Sequence, residues 1–432
     1  MEIVRDQHSN VFGSGSPDGD LTDEQMNSIA RESLADVPAG VRVLAIIPDK
    51  TRDDNTHILF PAAAAALALH GAKIDALVAQ GTHPAMSTAE KLAKIGADRI
   101  SIPNLDTIYD HRWNEPYELV TIGELSATEV ENISGGLIAE AIPLRINRLV
   151  ASADYDLILV FGATMPHEVA GFAGGAKYFF PGVAGPELTH KTHWLAAMAS
   201  VEKIIGRVET PTRHLIEAAA EHIETPVVSF TSVISRTDER LRTHALFAGD
   251  IKQALRRAAD ISRHVHIKYT GRKYRRVVAL LDEHYEDLWV GGKASYRLGS
   301  VIEDDGELLI SAPQLTSVSE THGSDIIHFG GYAPLEKVKD LVATSAELRD
   351  NRCVAAHLSQ VAFVGRRDEN GDLVMRYNIT LASALDLETC GKLNLKYMDI
   401  ADFQISNYES DSDTLIVERA GRDLYLVAPI NS

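Results

Sequence analysis

Cysteine is almost missing: only Cys353 and Cys390 occur in 432 residues. That excludes a disulfide framework and a cysteine-rich zinc or iron–sulfur site. Positive charge is also short, with 42 Lys and Arg against 61 Asp and Glu, a formal net charge of −19. So acidic a surface repels phosphate backbones and anionic lipid, so neither nucleic acid nor membrane is an expected partner. A small anionic substrate would need a local cationic pocket. No apolar run reaches the roughly 18–20 residues of a spanning helix. The opening MEIVRDQHSNVFGSGSPDGD has neither the basic start nor the apolar stretch of a signal peptide. The expectation is a soluble, cytoplasmic protein. Fixed-period repeats and low-complexity blocks are lacking too. What is present is ordinary: 45% hydrophobic and 24% charged residues, which excludes global disorder, in a chain long enough for two domains.

Apolar runs ending in polar loops set the organisation. The polar first twenty residues read as a loose arm or an edge strand, followed by a helix over Leu21–Leu34 capped by Thr22. Strands are expected at 41–49, 73–83, 156–164 and 225–234, with helices at Pro61–His70, from about Glu187, and at Ile251–Val265. The basic stretch 268–276 reads as a linker. Beyond it come strands at 277–282, 306–313 and 361–365 and a helix over Leu335–Leu348. This alternation predicts an α/β protein of two α/β domains with a cofactor and substrate cleft between them. Residues 1–272 would carry the cofactor and catalytic histidines, and 273–432 would contribute substrate-binding residues.

The densest segment is GATMPHEVAGFAGGAKYFFPGVAGPELTHKTHW, residues 162–194. Gly171, Gly174 and Gly175 let backbone approach a ligand and turn N–H groups toward an anion. Lys177 adds a cation or a nucleophilic amine. A surface turn explains such a loop about as well, and neither the Walker nor the GxGxxG spacing is there. His190 and His193 are three apart on an expected helix and could pair as metal ligands with His167 or Glu187 nearby. Two further strand ends are polar: Asp49, Lys50, Thr51 and Arg52 after the first, Thr82 and His83 after the next. Their bland readings are a salt bridge of Arg52 with Asp53 or Asp54, and a turn histidine before Pro84. In the second half, WVGGKASYR (289–297) is a Gly-Lys loop with Lys293, Tyr296 and Arg297, more basic than its acidic surroundings.

The elements PDKTR (48–52), GTH (81–83), PHEVAGFAGGAK (166–177) and His193, with the spacing His-x9-Lys-x15-His, resemble the lactate racemase family. The resemblance covers most of residues 40–200 and continues more weakly to about 330. It implies a racemase or epimerase, an isomerase that inverts C2 of a 2-hydroxy acid by reversible hydride transfer. Its cofactor would be the nickel-pincer nucleotide, a pyridinium mononucleotide with an SCS-pincer nickel, linked as a thioamide to Lys177. His193 would ligate the nickel, and His83 and His167 would be the acid/base pair. Asp49, Thr51, Arg52, Gly174 and Gly175 would line the cofactor, and Arg52, Lys293 and Tyr296 the substrate. Where lactate racemases carry Tyr-Gln-x-x-Lys, this chain reads Gly-Gly-Lys-Ala-Ser-Tyr-Arg, and the extra basic and hydroxyl groups favour an aldonate such as gluconate. Proteins of the cofactor's biosynthesis would load it; homo-oligomerisation stays open. The competing readings are a zinc hydrolase built on His190 and His193, a non-catalytic carrier of the nickel nucleotide, and an NAD-dependent dehydrogenase, which lacks its glycine fingerprint.

Overall fold

The computed structural model describes residues 10–81, 83–237 and 240–429. It is an α/β protein whose chain divides into two compact units. The first comprises residues 1–165, 172–192 and 208–265; the second comprises 166–171, 193–207 and 266–432.

The first unit is built on a seven-stranded sheet in the order Val11–Gly15, Leu241–Gly249, Val227–Arg236, Leu157–Ala163, Arg42–Pro48, Lys73–Ala79 and Leu105–Asp110. The last five run parallel and the first two join antiparallel. The central strand Leu157–Ala163 is buried along its length, as the continuous apolar run predicts. Phe161 stacks on Phe230 at 4.9 Å and touches Phe60 at 5.9 Å, fixing the sheet against the helix Thr56–Ala68. The chain reverses its order across the sheet between Arg42–Pro48 and Leu157–Ala163. A doubly wound sheet binds its ligand at such a point, where the flanking loops diverge. Asp49 and Thr164 are the residues that leave these two strands.

The second unit holds a wholly parallel five-stranded sheet, ordered Lys396–Met398, Asn378–Ser383, Ile302–Ala312, Tyr274–Leu280 and Thr414–Val417. Short helices Leu288–Gly291, Lys293–Leu298 and Arg352–Val361 cover it. Among the described residues no helix is long and apolar enough to cross a membrane.

The strand at 11–15 is an edge strand, and residues 1–9 of the expected arm lie outside the described residues. The helix capped by Thr22 forms over Asp23–Ser33, closed by a reciprocal pair between Thr22 and Gln25. Three local expectations fail. The helix expected from Pro61 begins at Thr56, because the Asp54 carboxylate accepts the Thr56 N–H at 2.8 Å and starts it earlier. The linker at 268–276 is instead the end of one strand, Ile267–Tyr269, and the start of another, Tyr274–Leu280. The strand expected at 361–365 is a helix end: Val361 closes Arg352–Val361 and Phe363 turns to φ 62°. A short apolar run does not separate a buried helix from a buried strand. The helix over 335–348 is also split, at Ser345, into Leu335–Thr344 and Ala346–Asp350.

Gly171 has φ 75°, and a Cβ there would lie 1.9 Å from the Arg207 carbonyl oxygen. Both the conformation and the approach require glycine. Gly171→Ala is expected to lower the stability of the protein by about 1–3 kcal/mol, read as a reduced urea midpoint; an unchanged midpoint contradicts this packing.

Candidate functional site

Asp49 leaves the buried strand Arg42–Pro48 with only 4% of its surface exposed. Its Oδ1 accepts from the Thr51 N–H at 2.8 Å and the Thr51 hydroxyl at 2.5 Å, and its Oδ2 faces His83 Nδ1 at 2.7 Å. Burial pushes this carboxyl up, but the hydrogen bond and charge of His83, the charge of Arg52 and the Thr51 contact outweigh it. The group is held well below the usual carboxylate range. An ionised carboxylate only accepts, so the neutral form of His83 carries its proton on Nδ1 and presents Nε2 as a lone pair.

The acids that could have occupied Arg52 are taken elsewhere. Asp53 receives both Arg236 Nε at 2.7 Å and Nη2 at 2.5 Å, and Asp54 receives Lys94 at 2.7 Å. Among the described residues the exposed Arg52 guanidinium forms no ion pair, and its charge falls on Asp49. Lys50 is held by Glu90 on the surface at 2.7 Å.

The glycine loop is laced to the His83 turn. The Gly81 N–H donates to the Gly182 carbonyl at 3.0 Å, and the Gly182 N–H donates to the Lys177 carbonyl at 3.0 Å. Lys177, half-buried, lies in the short turn Gly175–Tyr178. Gly174 (φ 93°) sits so close to the end of Leu157–Ala163 that a Cβ would come 2.8 Å from Thr164 Oγ1. Arg213, which sequence reasoning passed over, is wholly buried below this loop. It donates to the carbonyls of Phe172 and, at 3.3 Å, Gly174, so it holds the loop from its carbonyl side. Burial pushes Arg213 down to about 10, opposed by Glu217 and Glu209, which leaves it charged at neutral pH. The first unit thus gathers Asp49, Thr51, Arg52, His83, Gly174, Gly175 and Lys177. Thr82 lies outside the described residues.

The second unit carries His167, His193, Lys293 and Tyr296. His167 Nδ1 accepts from the Val169 N–H at 3.1 Å and the Ala170 N–H at 3.4 Å. A ring nitrogen that accepts is unprotonated, so neutral His167 carries its proton on Nε2, the opposite arrangement from His83. Burial pushes the neighbouring Glu168 up, but His167 when protonated, together with Lys293 and Arg297, outweighs this and keeps it ionised. Arg297 donates to the Pro166 carbonyl at 3.0 Å and the Arg422 carbonyl at 2.7 Å, bracing the segment that bears His167. Tyr296 is buried and its hydroxyl meets His357 Nδ1 at 3.0 Å, so it positions His357 rather than presenting a free hydroxyl. The half-buried His193 lies on the helix Pro186–Ala199, three residues after His190. The ligand atoms of Asp282, Glu283 and His284 lie within 4.8 Å of one another, but Arg422 occupies Asp282 at 2.5 Å and supplies the positive charge there.

The fold and these residues define a two-unit α/β protein with strand-end acid/base and cationic groups. Residues 21–206 match the lactate racemase N-terminal domain. Two curated relatives align over 170 residues, 39% of this chain: the lactate racemases of Thermoanaerobacterium thermosaccharolyticum, 31% identical, and Lactiplantibacillus plantarum, 32% identical. The match covers only 36% of the length of each. A crystal structure of a Thermotoga maritima protein superposes with a TM-score of 0.84 at 30% identity, covering 94% of this chain and 99% of that one. The lactate racemase apoprotein of Thermoanaerobacterium thermosaccharolyticum shares the fold, with a TM-score of 0.71 at 17% identity over 94% of this chain and 96% of its own. Residues 21–206 thus carry a lactate racemase N-terminal domain, and the chain as a whole has the fold of the lactate racemase apoprotein.

The Asp49 carboxyl has a depressed value in the folded state, so it stabilises the protein above the ordinary carboxylate range. That contribution is lost as pH falls through and below the range. The stability difference between wild type and Asp49→Asn, from urea unfolding, is expected to be full at pH 7 and to shrink below about pH 4. A difference that widens on acidification contradicts the assignment.

Proposed function

We propose that this chain is a nickel-pincer nucleotide-dependent isomerase that inverts C2 of a 2-hydroxy acid, with an aldonate such as gluconate favoured over lactate. The observation that carries the reading is the 2.7 Å bond between Asp49 and His83, with the uncompensated Arg52 beside it and the Lys177 turn laced to it. The residues suit such a group. Lys177 is an amine for a thioamide link, and His193 an imidazole for a soft, sulfur-ligated nickel. Gly174 and Gly175 hold positive φ angles, and a Cβ at Gly174 would crowd Thr164, so the loop keeps a bare backbone that suits a phosphate. The buried Ser232 hydroxyl, within the neighbouring strand and opposite Ala163, has no hydrogen-bond partner among the described residues. When bound, the group supplies an electrophilic carbon that accepts hydride from C2 and returns it. Loading would fall to the proteins that make the cofactor.

This chain's own residues handle the proton and the charge. A C2–H beside a hydroxyl and a carboxylate is only weakly acidic, so inversion through a planar 2-keto acid avoids a carbanion. The His83 Nε2 lone pair takes the hydroxyl proton, and Asp49 stabilises the imidazolium that forms. The carboxylate calls for a cation, and Arg52 in the first unit and Lys293 in the second each offer one within an acidic protein. His167 serves the mirror form. As held, its Nε2 is a donor, so acting as a base requires it to give up the contacts from Val169 and Ala170. Racemisation of lactate itself is the second reading, favoured by the two curated relatives, which are lactate racemases.

Substrate deuterated at C2 is expected to keep its label through inversion, measured on gluconate and lactate side by side by mass spectrometry. Washing-out of the label into solvent overturns the hydride reading. His83→Ala and His167→Ala are each expected to slow both directions equally, by ~10²–10⁴-fold, since the equilibrium constant is fixed by the substrates.

A further inference from the structure

In the second unit the helices Leu288–Gly291 and Lys293–Leu298 are joined by Gly292 in a right-handed conformation, φ −55° and ψ −16°, so the helical path is continuous. Trp289 and Lys293, four residues apart, therefore face the same way, with an axial separation of roughly 6 Å. Gly292 permits this position: a Cβ there would meet Val361 Cγ2 at 2.8 Å and the Tyr296 hydroxyl at 3.1 Å. The bare backbone lets the pair of helices seat against Arg352–Val361, which carries His357.

The Trp289 indole stacks on His357 at 4.1 Å and 30°, and tilts against His322 at 4.6 Å and 37°. The two imidazoles differ. His357 is buried, both of its ring nitrogens face tyrosine hydroxyls, of Tyr296 at 3.0 Å and Tyr332 at 3.5 Å, and burial pushes it down to about 3. It is a neutral, fully engaged backing for the indole. His322 is half-buried, and among the described residues its ring nitrogens make no hydrogen bond; its backbone is engaged, the N–H with Ser319 Oγ at 3.1 Å and the carbonyl with the Ile326 N–H at 3.0 Å. Burial also lowers His322, which favours the neutral ring with one donor and one acceptor. Glu168 and His193 act electrostatically on His357, so this nest adjoins the residues of the second unit already assigned to the reaction.

We propose that Trp289 and His322 form a subsite for the hydroxylated carbon chain beyond C2 of the substrate, and that they set the preference for a long sugar acid. The proposal rests on the 2-hydroxy-acid reading above and names the substrate class within it. With the carboxylate at Lys293, a three-carbon acid ends before the indole, one helical turn away, and a longer chain reaches it. The C–H groups of such a chain lie against the electron-rich face of the indole, and its hydroxyls pair with the His322 nitrogens. An apolar tail would cover His322 without pairing it, which carries the cost of a desolvated polar group.

The test uses gluconate and lactate as probes. In the loaded enzyme, Trp289→Ala and His322→Ala are each expected to lower the gluconate-to-lactate ratio of kcat/KM by about tenfold or more, mainly through KM for gluconate. Trp289→Phe and His322→Asn should restore part of the ratio. Calorimetric titration of the apoprotein gives a readout independent of turnover: both alanine variants should weaken gluconate more than lactate. Equal losses for the two acids, or no loss, overturn the subsite. If wild type inverts neither acid, the function proposed above fails, while gluconate binding that depends on Trp289 and His322 still supports the subsite. If wild type inverts lactate and the variants do not discriminate, the subsite fails alone.

Discussion

A buried, ionised carboxylate at the end of a central strand is the constraint on which the first unit's polar groups depend. Asp49 has left water almost completely, and such a charge is tolerated only when it is paired and hydrogen-bonded. Each of its partners acquires a fixed geometry in return. Thr51 closes the turn after the strand, Arg52 is carried to the rim with its charge unclaimed, and His83 is locked into one tautomer. Replacing the carboxylate with an amide would keep the shape and remove the acceptor that sorts the ring nitrogens. The sheet contributes by placing Asp49 where the strand order reverses.

The second unit uses the same device with other residues. Glu168 stays ionised because His167, Lys293 and Arg297 surround it, and Arg297 in turn braces the carbonyl of Pro166. In a chain with a formal net charge of −19, local positive charge must be concentrated to hold a small anion. Here cations are kept near the proposed chemistry by a few inward carboxylates, and the neighbouring acids are paired with other cations, the exposed Asp53 with Arg236 and the buried Asp54 with Lys94. The glycine loop depends on charge as well: Arg213 ties down its carbonyls from below, and the positive φ angles at Gly174 and Gly175 come from that tight path.

The strand-end polar groups were legible in the sequence because apolar runs at 42–48 and 157–163 announce their own ends, and Asp49, Arg52 and His167 follow within a few residues. Element boundaries were less legible. Pro61 looked like a helix start, but a capping carboxylate seven residues upstream decided it. The run 361–365 looked like a strand because burial on all sides removes periodicity, and the preceding helix is buried from Val354 to Val361. Arg213 and His357 were missed for a related reason. Each lies in an unremarkable helical stretch, and its partners, the carbonyls of 172 and 174 or the hydroxyls of Tyr296 and Tyr332, are distant in sequence. Tyr296 was read as a substrate contact from its neighbourhood, and only the packing reveals that its hydroxyl is turned to His357.

The claim at the centre of this account is that the two histidines are prepared unequally, His83 with its proton on Nδ1 and His167 with its Nδ1 accepting from backbone N–H groups. Long-range proton–nitrogen NMR spectra of the ¹⁵N-histidine-labelled apoprotein above the imidazole titration range measure this directly, with His83→Gln and His167→Gln to assign the signals. The account predicts an Nδ1–H tautomer for His83 and an Nε2–H tautomer for His167. Two histidines in the same tautomer, or His83 protonated on Nε2, would contradict it.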